Sequence, residues 1–494
     1  MNTTPTTISI SLVSHTNAGK TTLARTLLGR DIGAVRDEAH VTDTAESHEL
    51  VRTAQGDSLL LWDTPGFGDS LRLARRLEAA DNPLGWLVGQ VWDRLRDRPL
   101  WSSQQALRHV REQADVVLYL VNAAEDPQDA GYVEPEMRVL AWTGKPVMVL
   151  LNQMGPPRPA ASEQAEVDRW QQHLAHWPQV RDVLALDAFA RCWVQEDELL
   201  QRIGGLLDAG RQQAYERLRM QWQRQHHERY RQAIACLAAD LAAAAADRVI
   251  LADPGITGQL RDLGSSLGLP AGKGRNARDA AMVALGERWD EQSRKTTAAL
   301  IQLHGLGGNA THEVMTRVDA HYAVNSKVNE GKAAILGGVA TGALAGLKAD
   351  LATGGFTLGG GMIVGSVLGA LGAAGLAVGY NQIRGLDGLS IQWSDAVLLN
   401  KVGALTLTYL AVAHFGRGRG DWARAEYPAH WSDVVSRAVA AHKPQLLSAL
   451  AKRAEAVGRR DRRKALATRL ATVPGDVLRD VLSELYPQAV RQLP

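Results

Sequence analysis

The sequence has only two cysteines, Cys192 and Cys236, in 494 residues. A disulfide-stabilised fold is therefore excluded, and the chain suits a reducing compartment. The chain also lacks an excess of positive or negative charge, because 55 Lys and Arg against 53 Asp and Glu leave a formal net charge of +2. This balance gives no strong indication of nucleic acid as a partner. The first ten residues lack a basic start and a continuous apolar core, so we expect no signal peptide and a cytoplasmic protein.

The sequence also lacks a dinucleotide-binding motif and a metal-type cluster of Cys and His. Its clearest motif is SHTNAGKT at residues 14–21, which nearly fits the phosphate-binding loop G-x-x-x-x-G-K-[ST]. In such a loop, backbone N–H groups and the N-terminus of the next helix face phosphate oxygens. Gly19 lets the backbone approach, Lys20 reaches the outer phosphates, and the Thr21 hydroxyl ligates Mg²⁺. Ser14 replaces the first glycine, so a turn that binds no nucleotide is the alternative.

The residues around this loop have the pattern that a phosphate site requires. Residues 7–14, TISISLVS, are apolar and β-branched, which predicts a buried parallel strand. After the loop, Leu23, Leu27 and Leu28 recur at helical spacing, and Gly29 is placed to end the helix. The sequence therefore predicts a strand, a phosphate loop and a helix in that order.

A second motif, SLLLWDTPG at residues 58–66, ends another apolar strand. An aspartate at the end of a strand beside the loop can hold Mg²⁺, which makes Asp63 a candidate metal ligand. The Gly66 amide would then sense a third phosphate. The alternative is a strand followed by an ordinary Pro-Gly turn.

Together, the loop and D-x-x-G resemble the Era and TrmE-like branch of P-loop GTPases, in which the motifs read G-x-x-N-x-G-K-[ST] and D-T-x-G. The resemblance covers residues 1–205. It implies that Asn17 is a candidate K⁺ ligand. It also implies a switch threonine in the segment AHVTDTAES, with Thr42 as the choice and Thr44 as the reserve.

The base-reading motif departs from that family. N-K-x-D is replaced by NQMG at residues 152–155, so we expect Asn152 to contact the base, while guanine specificity stays open without the aspartate. Phe67 stands where a water-orienting glutamine would follow D-x-x-G. Hydrolysis would then depend on bound ions, another side chain or a partner's arginine. His15 is a candidate helper, although such a side chain more often points to solvent.

These motifs define the expected site for GTP or GDP. We expect Lys20 and Thr42 to act in catalysis. The expected Mg²⁺ ligands are Thr21, Thr42 and Asp63. The residues expected to contact the nucleotide are Ser14, Asn17, Ala18, Gly19, Lys20, Thr21, Thr22, Asp63, Gly66 and Asn152.

Composition divides the chain into four regions. Residues 1–205 alternate strands and helices, which predicts an α/β P-loop NTPase with a doubly wound, mostly parallel sheet and an insertion at about 67–113. That insertion is either a partner-docking element or a surface helix. Residues 206–332 and 384–494 are predicted to be helical, which makes the C-terminal region all-α. The strands are expected near residues 7–14, 49–54, 58–63, 115–122, 146–152 and 182–187.

Between the helical regions, residues 333–383 are rich in Gly and Ala and apolar. Residues 351–383 contain no charge, which exceeds the length needed to cross a bilayer. Gly338 and Gly342 illustrate the small-residue spacing that lets helices touch. We therefore expect a helical hairpin, either in contact with a membrane or buried in a soluble domain, with a disordered segment as the remaining alternative. The basic residues 451–470 are a candidate contact for anionic lipid or a solvated helix face.

The expected function is a Mg²⁺-dependent GTPase switch that controls a membrane-interacting helical region at the inner face of the membrane. This organisation resembles bacterial GTPases that carry a C-terminal domain of unknown function. Two alternatives are a nucleotide-binding scaffold with little hydrolysis and a membrane-remodelling or pore-forming protein timed by its GTPase domain. A homodimer, formed through the GTPase domain or the helical region, is a further candidate assembly.

Overall fold

The computed structural model divides into two compact units. The N-terminal unit comprises Met1–Arg229, Ala413–Pro428 and Leu482–Pro494, and the C-terminal unit comprises Tyr230–Val412 and Ala429–Val481. The residues that the structure describes are 5–15, 18–29, 46–79, 98–154, 158–186, 192–251, 273–306, 376–383, 386–414 and 429–487.

The N-terminal unit contains a six-stranded sheet with the order β2-β3-β1-β4-β5-β6. Only the edge strand β2 runs antiparallel to its neighbour, and the other pairs are parallel. The doubly wound, mostly parallel sheet that the sequence predicts is therefore confirmed. Its strands are β1 (Thr7–Ser14), β2 (Glu46–Arg52), β3 (Ser58–Asp63), β4 (Val116–Asn122), β5 (Val147–Asn152) and β6 (Val180–Ala185).

The central strands are continuous apolar runs because helices cover both faces of the sheet. All six residues of β5 are buried, and so are all but the last residue of β4. The helices of this part of the chain are α1 (Lys20–Leu28), α2 (Ser70–Ala79), α3 (Arg98–Gln113), α4 (Val133–Ala141), α5 (Ala160–Leu174) and α6 (Trp193–Gly204). Of the expected insertion at 67–113, α2 and α3 form the two ends, and residues 80–97 lie outside the described part.

The order of the strands places the ends of β1 and β3 together. β1 lies between β3 and β4, with Leu12 opposite Asp63 and Ser14 opposite Leu120. In open α/β sheets, ligands bind at the carboxyl ends of strands where the chain order reverses, and β1 is at that point here. The fold therefore places the phosphate loop and the D-x-x-G segment together at the carboxyl ends of the strands.

The C-terminal unit is mainly helical, as predicted, but it also has a three-stranded antiparallel sheet with the order β7-β9-β8. The expectation of an all-α region is therefore wrong for these strands. The last part of the expected hairpin, from residue 376, is strand β8. The strands are β7 (Arg248–Leu251), β8 (Leu376–Ile383) and β9 (Leu386–Trp393).

Sequence reasoning missed these strands for a physical reason. Each is four to eight residues long and lies beside Gly- and Ala-rich sequence, where an alternating pattern is hard to distinguish from a helical one. The remaining helices are α7 (Ala209–Ala246), α8 (Lys273–Leu303), α9 (Asp395–Ala413), α10 (Ala429–Ala441), α11 (Lys443–Leu450), α12 (Arg460–Leu470) and α13 (Thr472–Leu485), with a short 3₁₀ helix at Arg453–Ala456.

Within the described residues, α9 alone has the length and apolar composition to cross a membrane, and 67% of that window is buried inside the protein. Its buried Lys401 lies 2.8 Å from Asp240 and 3.7 Å from the centre of the Trp289 ring. A buried, paired ammonium group is consistent with a core helix of the C-terminal unit. Most of the expected hairpin, residues 333–375, lies outside the described residues.

Candidate functional site

The phosphate loop joins the end of β1 to the start of α1 and closes against β5. Gly19 caps α1 with a φ of 87°, a left-handed conformation that favours glycine. A Cβ atom at Gly19 would lie 2.6 Å from Nδ2 of Asn152. That amide donates a hydrogen bond of 2.8 Å to the Ala18 carbonyl, and its residue is fully buried. Gly19 is therefore required both by its conformation and by the close approach of Asn152.

Ser14 explains how the loop forms without its first glycine. It is the last residue of β1, and among the described residues only Gln153 is a non-glycine with positive φ. The Ser14 side chain is buried, and its hydroxyl donates to the His15 carbonyl at 2.6 Å. Because the backbone at this position is an ordinary strand, serine is accommodated without left-handed strain.

The candidate metal ligands Thr21 and Asp63 lie together. The Thr21 hydroxyl donates to Oδ2 of Asp63 at 2.7 Å, and Asp63 is 4% exposed. Its other oxygen, Oδ1, is buried and has no hydrogen-bond partner among the described residues. A hydroxyl and a carboxylate with a spare oxygen are donors that Mg²⁺ prefers, so this pair fits the ion.

Lys20 completes the positive side of the pocket. Its ammonium group lies 3.4 Å from the Ser14 hydroxyl. Desolvation lowers the pKa of Lys20, and the attraction of Asp63 opposes this shift. Burial raises the pKa of Asp63 in turn, against the attraction of Lys20 and the hydrogen bond from Thr21. Burial is the main cause of both shifts, and a phosphate group or a divalent cation bound here would stabilise the charged forms.

The D-x-x-G segment is fixed beside the loop. The Thr64 hydroxyl donates to the Leu12 carbonyl at 2.5 Å, and the Phe67 amide donates to the Ser14 carbonyl at 3.0 Å. Gly66 lies between these anchors. The Phe67 ring is fully buried in the hydrophobic core, so this residue cannot orient a water molecule, as the sequence predicts.

Glu136 is a residue of this region that sequence reasoning missed. It lies on α4, is fully buried, and contacts His15 of the loop, which therefore does not simply point to solvent. Burial raises the pKa of Glu136, and hydrogen bonds from His15 and Tyr119 oppose the rise. The available signal was an acidic residue between Val133 and Met137 on the apolar side of a short helix.

The structure thus brings most of the expected site together. Thr22 is buried in the first turn of α1. Asn17, Thr42 and Thr44 lie outside the described residues, as do residues 155–157 and 187–191 near the expected base pocket. The expected residues that the structure gathers at the carboxyl edge of the sheet are Ser14, Ala18, Gly19, Lys20, Thr21, Thr22, Asp63, Gly66 and Asn152.

Two family models match the chain. Residues 9–153 match the model described as 50S ribosome-binding GTPase, and residues 324–472 match the model described as a domain of unknown function, DUF3482. Comparison with curated proteins found no match.

Several solved structures are similar to the chain. An Era variant from Aquifex aeolicus bound to GDP·AlF4⁻ is 20% identical over 41% of this chain and 57% of that chain, with a TM-score of 0.31. NFeoB from S. thermophilus bound to mGMPPNP is 18% identical over 48% and 71%, with a TM-score of 0.24. A member of an oligomerised bacterial dynamin pair is 7% identical over 99% and 84%, also at 0.24. The chain spans 57% of the Era chain's length.

The loop geometry agrees with the match to the GTPase model. A strand, a phosphate loop and a helix are followed by D-x-x-G at the adjacent strand end, within the residues that match the GTPase model. The chain joins a P-loop GTPase domain, matched over residues 9–153, to a C-terminal domain of unknown function matched over residues 324–472.

Proposed function

We propose that the chain binds GTP with Mg²⁺ and hydrolyses it slowly, as a nucleotide-operated switch. The observation that carries this proposal is the Thr21–Asp63 pair at 2.7 Å, together with the buried Oδ1 of Asp63, which has no hydrogen-bond partner among the described residues. A buried carboxylate oxygen without a partner is costly, so a bound cation accounts for its presence.

Each residue of the loop has a role in this proposal. Lys20 neutralises charge on the outer phosphates, and the N-terminus of α1 directs its N–H groups at them. When bound, Mg²⁺ would neutralise developing negative charge between the phosphates. Thr42 is proposed to complete the metal site, and Asn17 to provide a K⁺ ligand, as the resemblance to Era and TrmE-like GTPases implies.

Slow hydrolysis follows from the position of Phe67. The Phe67 side chain is buried in the core. It occupies the sequence position at which a glutamine would otherwise orient the attacking water. Single-turnover conversion of GTP to GDP by the whole chain in Mg²⁺ tests this part of the proposal. Binding without turnover would favour the scaffold alternative over the switch.

We expect discrimination between guanine and adenine to be poor, with affinities for GTP and ATP within about tenfold of each other. Gly155 stands where the family has an aspartate that accepts hydrogen bonds from guanine. Loss of one charged hydrogen-bond partner costs roughly 1.5–3 kcal/mol, which removes most of that selectivity. Competition of ATP against a fluorescent GTP analogue measures the ratio. A preference for GTP above about a thousandfold would contradict the expectation and direct attention to another acid, such as Asp187.

We further propose that the nucleotide state controls membrane contact by residues 333–375. The support is compositional, because residues 351–375 carry no charge and are rich in Gly and Ala. The GTP-loaded protein should then float with anionic liposomes more than the GDP-loaded protein. Val367→Lys should weaken flotation, by roughly 2.5–3.5 kcal/mol on an insertion scale.

A matched substitution separates membrane contact from general loss of solubility. Val283 is 48% exposed on α8, so Val283→Lys adds the same charge at a surface position and should leave flotation unchanged. Circular dichroism of both variants checks their folding. Absence of flotation in every nucleotide state would remove the membrane proposal and leave the nucleotide site unaffected.

A further inference from the structure

A buried carboxylate connects the phosphate loop to α4. Oε1 of Glu136 lies 2.7 Å from Nδ1 of His15, and the Tyr119 hydroxyl donates to Oε2 at 2.6 Å. Glu136 and Tyr119 are both fully buried, whereas the His15 side chain is 36% exposed. The three side chains come from the loop after β1, from β4 and from α4, so they join three separate elements.

His15 is also held by contacts of its own. Its ring stacks on Tyr132, with ring centres 4.7 Å apart and planes inclined by 22°. Its backbone pairs with Phe67 in an isolated parallel bridge. His15 is therefore the point at which the phosphate loop, the D-x-x-G segment and α4 meet.

Fold stability alone does not account for this arrangement. Burial of the Glu136 carboxylate carries a desolvation cost, and an apolar side chain of similar size often fills such a space at least as favourably. The neighbours of Glu136 on α4, Val133 and Met137, are apolar and fully packed in the core. Glu136 is therefore better explained as a hydrogen-bond partner of His15 than as a side chain that fills the core.

The connection continues toward the segment that senses the third phosphate. α4 and α2 share the core cluster that contains Phe67, Leu73 and Leu77. On the surface, Arg138 of α4 lies 3.6 Å from Glu78 of α2. Since α2 directly follows D-x-x-G, that segment is joined through α2 to the helix that carries Glu136.

We propose that Glu136 is a positioning residue that acts through His15 to hold the start of the phosphate loop against the D-x-x-G segment, which favours nucleoside triphosphate over diphosphate. This inference rests on the proposed nucleotide site. At the proposed site the loop amides and Lys20 would bind both nucleotides, whereas only a third phosphate would reach Gly66. Loss of the link should therefore weaken GTP binding while GDP binding stays close to that of the unaltered protein.

The test compares GTP and GDP affinities in a double-mutant cycle, with a non-hydrolysable GTP analogue as the triphosphate probe. His15→Phe keeps a ring to stack on Tyr132 but removes Nδ1, and Glu136→Gln removes the charge at constant size. Each single variant should lower the GTP-to-GDP affinity ratio by about tenfold, as expected for a lost charged hydrogen bond. Because Glu136 acts through His15, the double variant should lower the ratio no further than either single variant.

Glu112→Gln is the matched control, since Glu112 is an exposed acid of the same unit that pairs with Arg108 on α3, away from the His15–Glu136 contact. It should leave the ratio within twofold of the unaltered protein. A hundredfold loss in the double variant, or equal losses of GTP and GDP affinity together with a lower Tm, would overturn the inference and leave a structural pair only. Ratios that stay within twofold of the unaltered protein in both single variants would also overturn it. Failure of the unaltered protein to bind either nucleotide would instead refute the proposed function on which the inference rests.

Discussion

Replacing Lys20 with alanine should weaken GTP binding by roughly 10- to 150-fold, the equivalent of about 1.5–3 kcal/mol for a lost charged hydrogen bond. The reason is geometric and electrostatic together. Lys20 begins α1 directly after Gly19, and desolvation already lowers its pKa, so its ammonium group gains from a phosphate counter-charge. Isothermal titration with a non-hydrolysable GTP analogue in Mg²⁺ measures the loss.

Lys145→Ala provides the matched control within the same unit. Lys145 precedes β5 at the amino end of the strand, whereas the site occupies the carboxyl ends of the strands. The same change of charge at that position should leave GTP affinity within about twofold of the unaltered protein. Equal affinities of both variants and the unaltered protein would show that Lys20 does not contact the nucleotide.

Gly19→Ala should lower both GTP affinity and the stability of the N-terminal unit, and Gly29→Ala is its internal comparison. Both glycines have left-handed backbones, with φ of 87° and 62°, so alanine costs roughly 1–2 kcal/mol at either position. Of these two positions, the new Cβ would meet a described atom only at Gly19, where Nδ2 of Asn152 lies at 2.6 Å, whereas no atom of the described residues lies within 4 Å at Gly29. The displaced amide would then leave the Ala18 carbonyl without its partner.

The difference between the two variants isolates the steric effect. A buried polar group that loses its partner costs about 1–3 kcal/mol, so Gly19→Ala should destabilise the unit by about that much more than Gly29→Ala. Differential scanning calorimetry of the transition that belongs to the N-terminal unit measures the stability, and the same samples give GTP affinities. Similar Tm values for the two variants, with GTP binding retained in both, would show that Asn152 does not close the loop.

The sequence predicts the N-terminal unit well because its signals are local. Residues 7–14 form the expected strand with the expected bounds, and so do residues 58–63. Parallel pairing of these strands places Leu12 opposite Asp63. Thr21, which follows the loop after β1, then lies within hydrogen-bond distance of Asp63. The sequence alone does not show whether serine can replace the first glycine of the loop at Ser14, because this depends on the backbone conformation.

Other features depend on contacts between residues distant in the chain, which periodicity does not encode. Glu136 is 121 positions from His15, and no short motif joins them. Asn152 is expected to contact the base, yet the structure also shows its amide bound to the Ala18 carbonyl in the loop. In the C-terminal unit, β7 pairs with β9 although more than a hundred residues separate them in the chain. Local helix propensity therefore could not predict this sheet.

The most direct test of the central claim is a titration of the whole, unaltered chain with a non-hydrolysable GTP analogue, in Mg²⁺ and again in EDTA, alongside Asp63→Asn. Asp63→Asn keeps the size of the side chain but removes the carboxylate that faces Thr21. We predict binding in Mg²⁺ that weakens at least tenfold in EDTA, and an Asp63→Asn variant whose affinity no longer responds to Mg²⁺. Absence of binding in Mg²⁺, or equal binding with and without the ion in the unaltered protein, would contradict a Mg²⁺-dependent GTP site at Thr21 and Asp63.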